Sequence, residues 1–164
     1  MREKVKTRRG TIKFLFTKSR FTFSGISPYL RIMTLIDKLA WIEIQDRKIL
    51  STRSKGKDTY YIPGGKREAG ETDHQTLIRE IEEELTVQLQ PDTLEFIQVF
   101  QAQAHGHAAG IEVKMQCYKG LYSGTITASS EIEEVAWLTY QERDQVSPVD
   151  KFIFDWLKQQ DLID

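Results

Sequence analysis

The chain has 164 residues, of which 40% are apolar and 29% charged, and its formal net charge is −1. This length suits one globular domain with a hydrophobic core and leaves little room for a second. No run approaches about 18 consecutive apolar residues, which argues against a membrane-spanning helix. The single cysteine, Cys117, excludes an internal disulfide and suits a reducing cytoplasm.

Residues 1–32 stand apart as a strongly basic N-terminal extension, which we expect to be flexible or not native to the domain. They carry nine Lys or Arg and one acid, a net charge of +8, whereas residues 33–164 carry 14 basic and 23 acidic residues, a net charge of −9. Such a segment suits an arm that binds nucleic acid or another anionic surface, and it also suits an organelle transit peptide. We favour a third interpretation, upstream sequence read in frame ahead of a natural start at Met33, because the globular pattern begins just after that residue.

Three short strands are predicted at the start of the domain, which spans residues 33–164. They cover residues 39–44, 48–53 and 59–62. Asp46-Arg47 forms a turn between the first two, and Pro63-Gly64-Gly65 ends the third. The prediction rests on the preference of β-branched and aromatic residues for strands and of Pro and Gly for turns.

An amphipathic helix is predicted over residues 73–85. Thr72 is a suitable N-cap, and Asp73 adds negative charge to the first turn, where the helix dipole favours it. The apolar residues that recur at helical spacing are Leu77, Ile78, Ile81 and Leu85.

The second half of the chain adds two long strands, a short strand and a closing helix. The strands cover residues 94–103, 111–122 and 135–138, and the helix begins at Ser147 or Pro148 and runs to Lys158. Cys117 falls in an alternating apolar run, so we expect a buried, unreactive thiol. The order β-β-β-α-β-β-β-α implies an α/β fold with a mixed sheet between helices.

Three acids share one face of the first predicted helix. Glu80, Glu83 and Glu84 are spaced at i, i+3 and i+4, and each like-charge pair at this spacing costs a few tenths of a kcal/mol in an isolated helix. One interpretation is a solvated acidic face. The other is a site for a divalent cation, because Mg²⁺ takes oxygen ligands and commonly binds carboxylates together with water and phosphate.

The loop before the helix favours the cation site. Gly64 and Gly65 allow the backbone to approach another part of the chain closely. Glu71 lies eight residues before Arg79, and a two-pronged ion pair between them would hold the loop against the helix.

These features together carry a family resemblance. The chain reads Gly65-Lys66-Arg67-Glu68-Ala69-Gly70-Glu71, then seven residues, then Arg79-Glu80-Ile81-Glu82-Glu83-Glu84-Leu85-Thr86-Val87. Residues 65–87 closely resemble the Nudix box, G-x5-E-x7-R-E-U-x-E-E-x-G-U with U a bulky aliphatic residue, at eight of its nine defined positions. The likeness extends over residues 38–158 and implies a Nudix-type α/β/α sandwich with a mixed β-sheet and a catalytic loop–helix.

Thr86 is the one departure from the box, which has Gly at that position. A helix commonly ends there in the left-handed conformation, which a β-branched residue adopts poorly. We therefore expect the helix to run on for another turn or its local end to differ. The cost should be on the order of 1 kcal/mol of stability, with the chemistry unaffected because the carboxylates precede Thr86.

The resemblance implies roles for the matched residues. Glu80, Glu83 and Glu84 would bind Mg²⁺, or Mn²⁺, with one of them positioning or deprotonating the attacking water. Glu71 and Arg79 would keep the loop in shape, the carbonyl of Gly64 or Gly65 would be a further metal ligand, and Lys66 would meet a phosphate. An additional acid from outside the box is also implied, for which we select Glu131 ahead of Glu133 and Glu112.

Three further residues are candidates for substrate binding. Arg53, at the end of the second strand, is either a phosphate contact or an exposed strand-end charge. Tyr60 and Tyr61 face opposite ways in a strand, so at most one reaches the pocket, and we take Tyr61 to stack on a base, with core packing as the alternative. His105 lies in a loop of small residues at the rim, and we give less weight to a metal-ligand role for the pair His105 and His107.

The resemblance is to nucleoside triphosphate pyrophosphohydrolases of the 8-oxo-dGTP diphosphatase type. It implies Mg²⁺-dependent hydrolysis of a nucleoside diphosphate linked to another moiety, with nucleoside triphosphates, oxidised ones included, going to monophosphate and pyrophosphate. The alternatives are an RNA 5′-end pyrophosphohydrolase that uses the basic arm, a non-catalytic nucleotide-binding module, and an isomerase, which would want a catalytic cysteine. We expect a cytoplasmic protein with a small nucleotide substrate and no membrane partner. Nucleic acid is expected only if the arm is native, and a homodimer is left open.

Overall fold

The computed structural model describes residues 34–164. The extension predicted at residues 1–32, its three interpretations and the start at Met33 lie outside the described residues. No helix within residues 34–164 is long and apolar enough to cross a membrane.

The described part of the chain alternates strands with two helices. In chain order the elements are β1 Thr34–Trp41, β2 Ile44–Gln45, β3 Lys48–Ser54, α1 Asp73–Leu85, β4 Gln88–Leu89, β5 Glu95–Gln103, β6 Ile111–Lys119, β7 Tyr122–Ser123, β8 Ile132–Leu138 and α2 Pro148–Gln159. The strands pair as β1-β6-β5, β2-β3-β8 and β4-β7. Because β1 is parallel to β6 while β5 is antiparallel to it, the predicted mixed sheet is confirmed.

The end of β1 separates two hydrophobic cores. Leu39 and Trp41 pack into the cluster that contains the apolar face of α1, whereas Ala40 and Ile42 pack into the cluster that contains the apolar face of α2. Successive strand residues point to opposite faces, so the sheet lies between the two helices. This is the predicted α/β/α sandwich.

Helix α1 occupies the predicted residues 73–85 and begins as predicted at Thr72. The Thr72 hydroxyl accepts from the Gln75 N–H, and the Gln75 side chain accepts from the Thr72 N–H, so the two residues form a capping box. Leu77, Ile81 and Leu85 are fully buried. Burial of each such side chain contributes roughly 1.5–3 kcal/mol, which explains why this apolar face of α1 packs into the hydrophobic core.

The first predicted strand was wrong in its bounds. Residues 39–44 do not form one strand: β1 begins at Thr34 and ends at Trp41, and Ile44–Gln45 belongs to a different sheet. Pairing between distant parts of the chain sets these bounds, because β1 pairs with β6 along its whole length. The turn predicted at Asp46-Arg47 is present, with φ of 50° and 59° at the two residues, as a tight hairpin turn requires.

The strand predicted at residues 59–62 is not a strand. Tyr60 forms a single bridge with Val146, and Tyr61 forms one with Thr52, so adjacent residues pair with different parts of the chain. Two other strands have shifted bounds: β6 ends at Lys119 rather than at residue 122, and β8 begins at Ile132 rather than at 135. The expected burial of Cys117 is confirmed, and burial raises the pKa of its thiol.

Candidate active site

Arg79 and Glu71 fix the loop at residues 66–71 against α1. The Arg79 Nε and Nη2 atoms donate to the two Glu71 oxygens at 2.7 and 2.9 Å, and Nη2 also donates to the Lys66 carbonyl. The same carboxylate accepts from the Glu68 N–H and the Thr76 hydroxyl. The hydrogen bonds from Arg79 are the main reason that the pKa of Glu71 falls to about 2. The predicted pair therefore exists as a rigid two-pronged clamp.

Arg67 provides a second anchor that the sequence had not indicated. Its Nε and Nη2 atoms donate to Asp73 at 2.9 and 2.8 Å, and its Nη1 atom pairs with Asp37 of β1. The Tyr118 hydroxyl donates to the other Asp73 oxygen at 2.7 Å. Asp73 thus does more than complement the helix dipole, because it ties the loop, the helix and the sheet together.

Gly64 and Gly65 pack closely against β1 and α1. A Cβ at Gly64, where φ is 136°, would collide with the Leu39 carbonyl, and a Cβ at Gly65 would occupy the position of the Glu80 carboxylate. The carbonyls of Pro63 and Gly65 accept from the Trp41 and Leu39 N–H groups at 2.9 Å. Both glycines line the pocket, and the hydrogen bond from Leu39 occupies the Gly65 carbonyl.

The three box carboxylates are in three different environments. Glu84 is only 8% exposed and accepts one hydrogen bond, from the Gly64 N–H at 3.1 Å. Burial, together with the charges of Glu131 and Glu80, raises its pKa to about 8, against the effect of that bond. Glu80 pairs with Arg79 at 3.1 Å, whereas Glu83 is about half exposed and lies 3.5 Å from the same guanidinium. Within residues 34–164 no three His, Cys, Asp or Glu side chains are already gathered as a metal-ligand set.

The segment before β8 brings Glu131 to the box. Two backbone bonds dock this segment on the end of α1, from Thr127 N–H to Leu85 and from Ser129 N–H to Glu84. Glu131 then lines the same pocket as Glu80 and Glu84. Of the three acids considered outside the box, only Glu131 does so.

The pocket has a volume of about 460 Å³, and most of the predicted substrate-binding residues line it. Gly64, Lys66, Tyr61, His105 and His107 line it together with Glu80, Glu84 and Glu131. Tyr61 Oη and His105 Nδ1 share a hydrogen bond of 2.7 Å, which joins two pocket segments that are 44 residues apart in sequence. Apolar side chains of Ile36, Ile62, Val113, Met115 and Val149 form much of the rest of the lining.

Arg53 is not brought into the pocket. Its guanidinium binds Glu133 and Glu134 at 2.8 and 2.7 Å, donates to the Lys57 carbonyl and lies over the Tyr60 ring. The interpretation as a strand-end charge therefore describes it better than a phosphate contact. Glu133 is occupied by this pair.

Three charged residues in or beside the pocket escaped the sequence analysis. Lys38 of β1 and Lys57 line it, and Asp150 of α2 directly follows the lining residue Val149. Asp150 is fully buried. Its Oδ2 accepts from the Ser147 hydroxyl at 2.7 Å, and its Oδ1 has no partner in normal hydrogen-bond geometry among the described residues. Burial raises the pKa of Asp150 to about 7, although Ser147, Lys38 and the Ile62 backbone oppose the shift. Alternation along β1 would have revealed Lys38 had the strand been predicted to begin earlier.

Thr86 ends α1 at the place where the Nudix box has Gly, and it adopts the left-handed conformation, with φ 60° and ψ 18°. The helix neither runs on nor ends differently, so both expected alternatives were wrong. The Thr86 N–H still bonds to the Glu82 carbonyl, and its hydroxyl donates to the Thr125 carbonyl at 3.3 Å. The packing of the following segment on the helix end overrides the preference of the residue.

Replacing Thr86 by Gly is expected to raise the free energy of unfolding by about 1 kcal/mol, because Gly adopts positive φ without steric cost. Urea denaturation followed by circular dichroism measures this. Thr127→Gly is the matched control, since its hydroxyl also donates to the Thr125 carbonyl at 3.3 Å, whereas its φ is not positive. The control should lose stability, and a loss in Thr86→Gly as well would contradict the idea of strain at this residue.

Comparison with known proteins agrees with this geometry. Residues 39–159 match the family model described as NUDIX domain. Among solved structures, the E. coli ORF135 protein is 24% identical over 77% of this chain and 92% of its own, with a TM-score of 0.57. The MutT NUDIX hydrolase from Burkholderia pseudomallei is 21% identical over 74% and 97%, with a TM-score of 0.59. The MutT protein from Methanosarcina mazei Go1 is 14% identical over 79% and 97%, with a TM-score of 0.63. No curated protein matches the sequence.

Proposed function

The chain belongs to the Nudix family, and from that premise we propose that this hydrolase uses Mg²⁺ to cleave a nucleoside diphosphate linked to another moiety. Nucleoside triphosphates, oxidised ones included, are the preferred class, and the products are the monophosphate and pyrophosphate. The observation that carries the proposal is the arrangement of Glu80, Glu84 and Glu131 along one pocket that Lys66 also lines.

The residues present fit a divalent cation. Glu84 is a buried carboxylate with two like charges nearby, and within residues 34–164 it has one hydrogen bond and no ion pair within 4.0 Å, an arrangement that suits a bound cation. Glu80, Glu84, Glu131 and the Gly64 carbonyl would supply oxygen ligands of the kind that Mg²⁺ prefers. Glu83 would join them from the same helix face when its side chain turns away from Arg79. Mn²⁺ would suit the same oxygen atoms.

Each residue of the site then has a defined task. A bound Mg²⁺ would neutralise phosphate oxygens and lower the pKa of a coordinated water. Lys66 binds a phosphate oxygen, and one of the box carboxylates orients the attacking water and accepts its proton. The clamp between Glu71 and Arg79 keeps these groups in register without touching the substrate.

The pocket favours a nucleotide over a smaller diphosphate. A volume of about 460 Å³ lies within the range of roughly 300–1,000 Å³ that is common for small-molecule sites. The apolar lining suits a base, with Tyr61 and His105 at the rim to contact it, and the carboxylates and Lys66 lie together where the phosphates would be.

A hydrolysis screen tests the proposal. The full chain is incubated with Mg²⁺ and nucleoside triphosphates, oxidised purine triphosphates, nucleotide sugars, dinucleoside polyphosphates or capped RNA, and the products are separated by anion-exchange chromatography. Triphosphates should give monophosphate and pyrophosphate, and EDTA should stop the reaction. Turnover that survives EDTA, or no turnover of any of these compounds, would refute the proposal.

A further inference from the structure

Lys38 places a positive charge at the edge of the catalytic loop. On β1 it shares a face with Ile36, two residues earlier, and both side chains line the pocket. The next residue, Leu39, donates its N–H to the Gly65 carbonyl at 2.9 Å. Lys38 therefore stands directly beside the loop that carries the box.

The ammonium of Lys38 has no fixed partner in the part of the chain that the structure describes. The guanidinium groups of Arg67 and Arg79 are held by carboxylates, but Lys38 forms no ion pair within 4.0 Å with residues 34–164. A lysine is a compact charge on a flexible four-carbon stem, so an unpaired one in a pocket is free to move between neighbouring acids.

Three acids from three different elements experience this charge. They are Glu84 of α1, Glu131 of the segment before β8 and Asp150 of α2. Burial raises the pKa of Glu84 and of Asp150, and the Ser130 side chain lowers that of Glu131, but in all three carboxyls the Lys38 charge acts to lower the pKa. Lys38 is thus close enough to interact electrostatically with Glu84 and Glu131 and also with Asp150 of α2.

Asp150 offers a second position for the ammonium. It is fully buried, the Ser147 hydroxyl donates to its Oδ2, and within residues 34–164 no group donates to its Oδ1 in normal geometry, although the Ile62 backbone lies close enough to lower its pKa. A buried carboxylate oxygen without a partner is costly and is relieved by a cation. Ser147 and Val149, the neighbours of Asp150, line the same pocket as Lys38.

We propose that Lys38 is a counter-ion shared between two positions. It neutralises Glu84 and Glu131 from within the pocket, without a fixed ion pair, when no divalent cation is bound, and it moves to Asp150 when such a cation binds to these two carboxylates. This inference rests on the proposed function, because it takes Glu84 and Glu131 as metal-binding groups. Lys38 then weakens metal binding by competition, and Asp150 restores part of the affinity by accepting the ammonium.

Mn²⁺ binding to the full chain without nucleotide tests the inference, with free Mn²⁺ measured by electron paramagnetic resonance. Lys38→Met should tighten binding about fivefold, the effect of removing one charge at the edge of a partly screened site. Asp150→Asn should weaken binding about threefold in the parent, because the displaced ammonium has lost its second position. In the Lys38→Met background, Asp150→Asn should have little effect.

Lys57→Met is the matched control, since Lys57 also lines the pocket but is not among the charges that shift the pKa of Glu84, Glu131 or Asp150. It should change Mn²⁺ affinity by less than about twofold. Unchanged or weaker binding in Lys38→Met overturns the inference, whether or not the Asp150 variant folds. So does an Asp150→Asn effect that is equal in both backgrounds. If the parent chain binds no Mn²⁺, the proposed metal site fails and this inference fails with it.

Discussion

Replacing Glu84 by Gln is expected to lower kcat with a nucleoside triphosphate about a thousandfold, the several kcal/mol that a well-held metal ion contributes to a phosphoryl transfer. The fold should persist, because the amide oxygen of Gln can still accept from the Gly64 N–H. Without metal near pH 7 the variant should be more stable than the parent, since burial raises the pKa of Glu84 to about 8 and folding must then protonate this carboxyl, a cost that the amide does not have. Steady-state kinetics and thermal unfolding in EDTA measure the two effects.

Glu82→Gln is the control for this change. Glu82 lies two residues before Glu84 but is exposed, and its carboxylate accepts from the Gln88 side chain at 3.2 Å, outside the pocket. The control should keep the kcat of the parent within about twofold, as exposed positions remote from the reacting groups usually do. A Glu84→Gln enzyme that hydrolyses triphosphates as fast as the parent would remove Glu84 from the metal site.

Helix α1 could be predicted from the sequence because its signals are local. Each signal acts within one loop and one helix. The signals are the N-cap at Thr72, the helical spacing of Leu77, Ile81 and Leu85, and the eight-residue separation of Glu71 and Arg79. These features gave the bounds of α1 and the clamp that the structure shows. Hydrogen-bonding and packing over such short distances leave few alternatives for the chain.

The rest of the site depends on contacts between distant segments. Lys38 and Asp150 are 112 residues apart in sequence and approach the same pocket only because β1 pairs with β6 and α2 packs on the sheet. The position of Arg53 at the end of a strand suggested a phosphate contact, but Glu133 and Glu134 on the neighbouring strand bind its guanidinium. Thr86 shows the same limit, because tertiary packing imposes a backbone conformation that its own residue type disfavours.

The largest effect expected outside the carboxylates is at Arg79. Arg79→Lys should lower kcat about 10- to 100-fold, the usual range for groups that orient metal ligands. Lysine keeps the charge but cannot form the two parallel bonds to Glu71 and still hold Glu80. Loop 66–71 would then loosen beside the carboxylates, and the loss should appear in kcat more than in KM.

Arg67→Lys separates loop anchoring from positioning of the carboxylates. Arg67 binds the same loop to the same helix through Asp73, but it touches none of Glu80, Glu83 and Glu84. Both substitutions should lower the melting temperature, whereas kcat should fall less than about threefold in Arg67→Lys, since no metal-orienting contact is removed. Equal losses of kcat in the two variants would mean that Arg79 acts only through the stability of the loop. A larger loss of kcat in Arg79→Lys would show that Arg79 also aligns Glu80 with the buried Glu84. The proposed hydrolysis depends on that alignment.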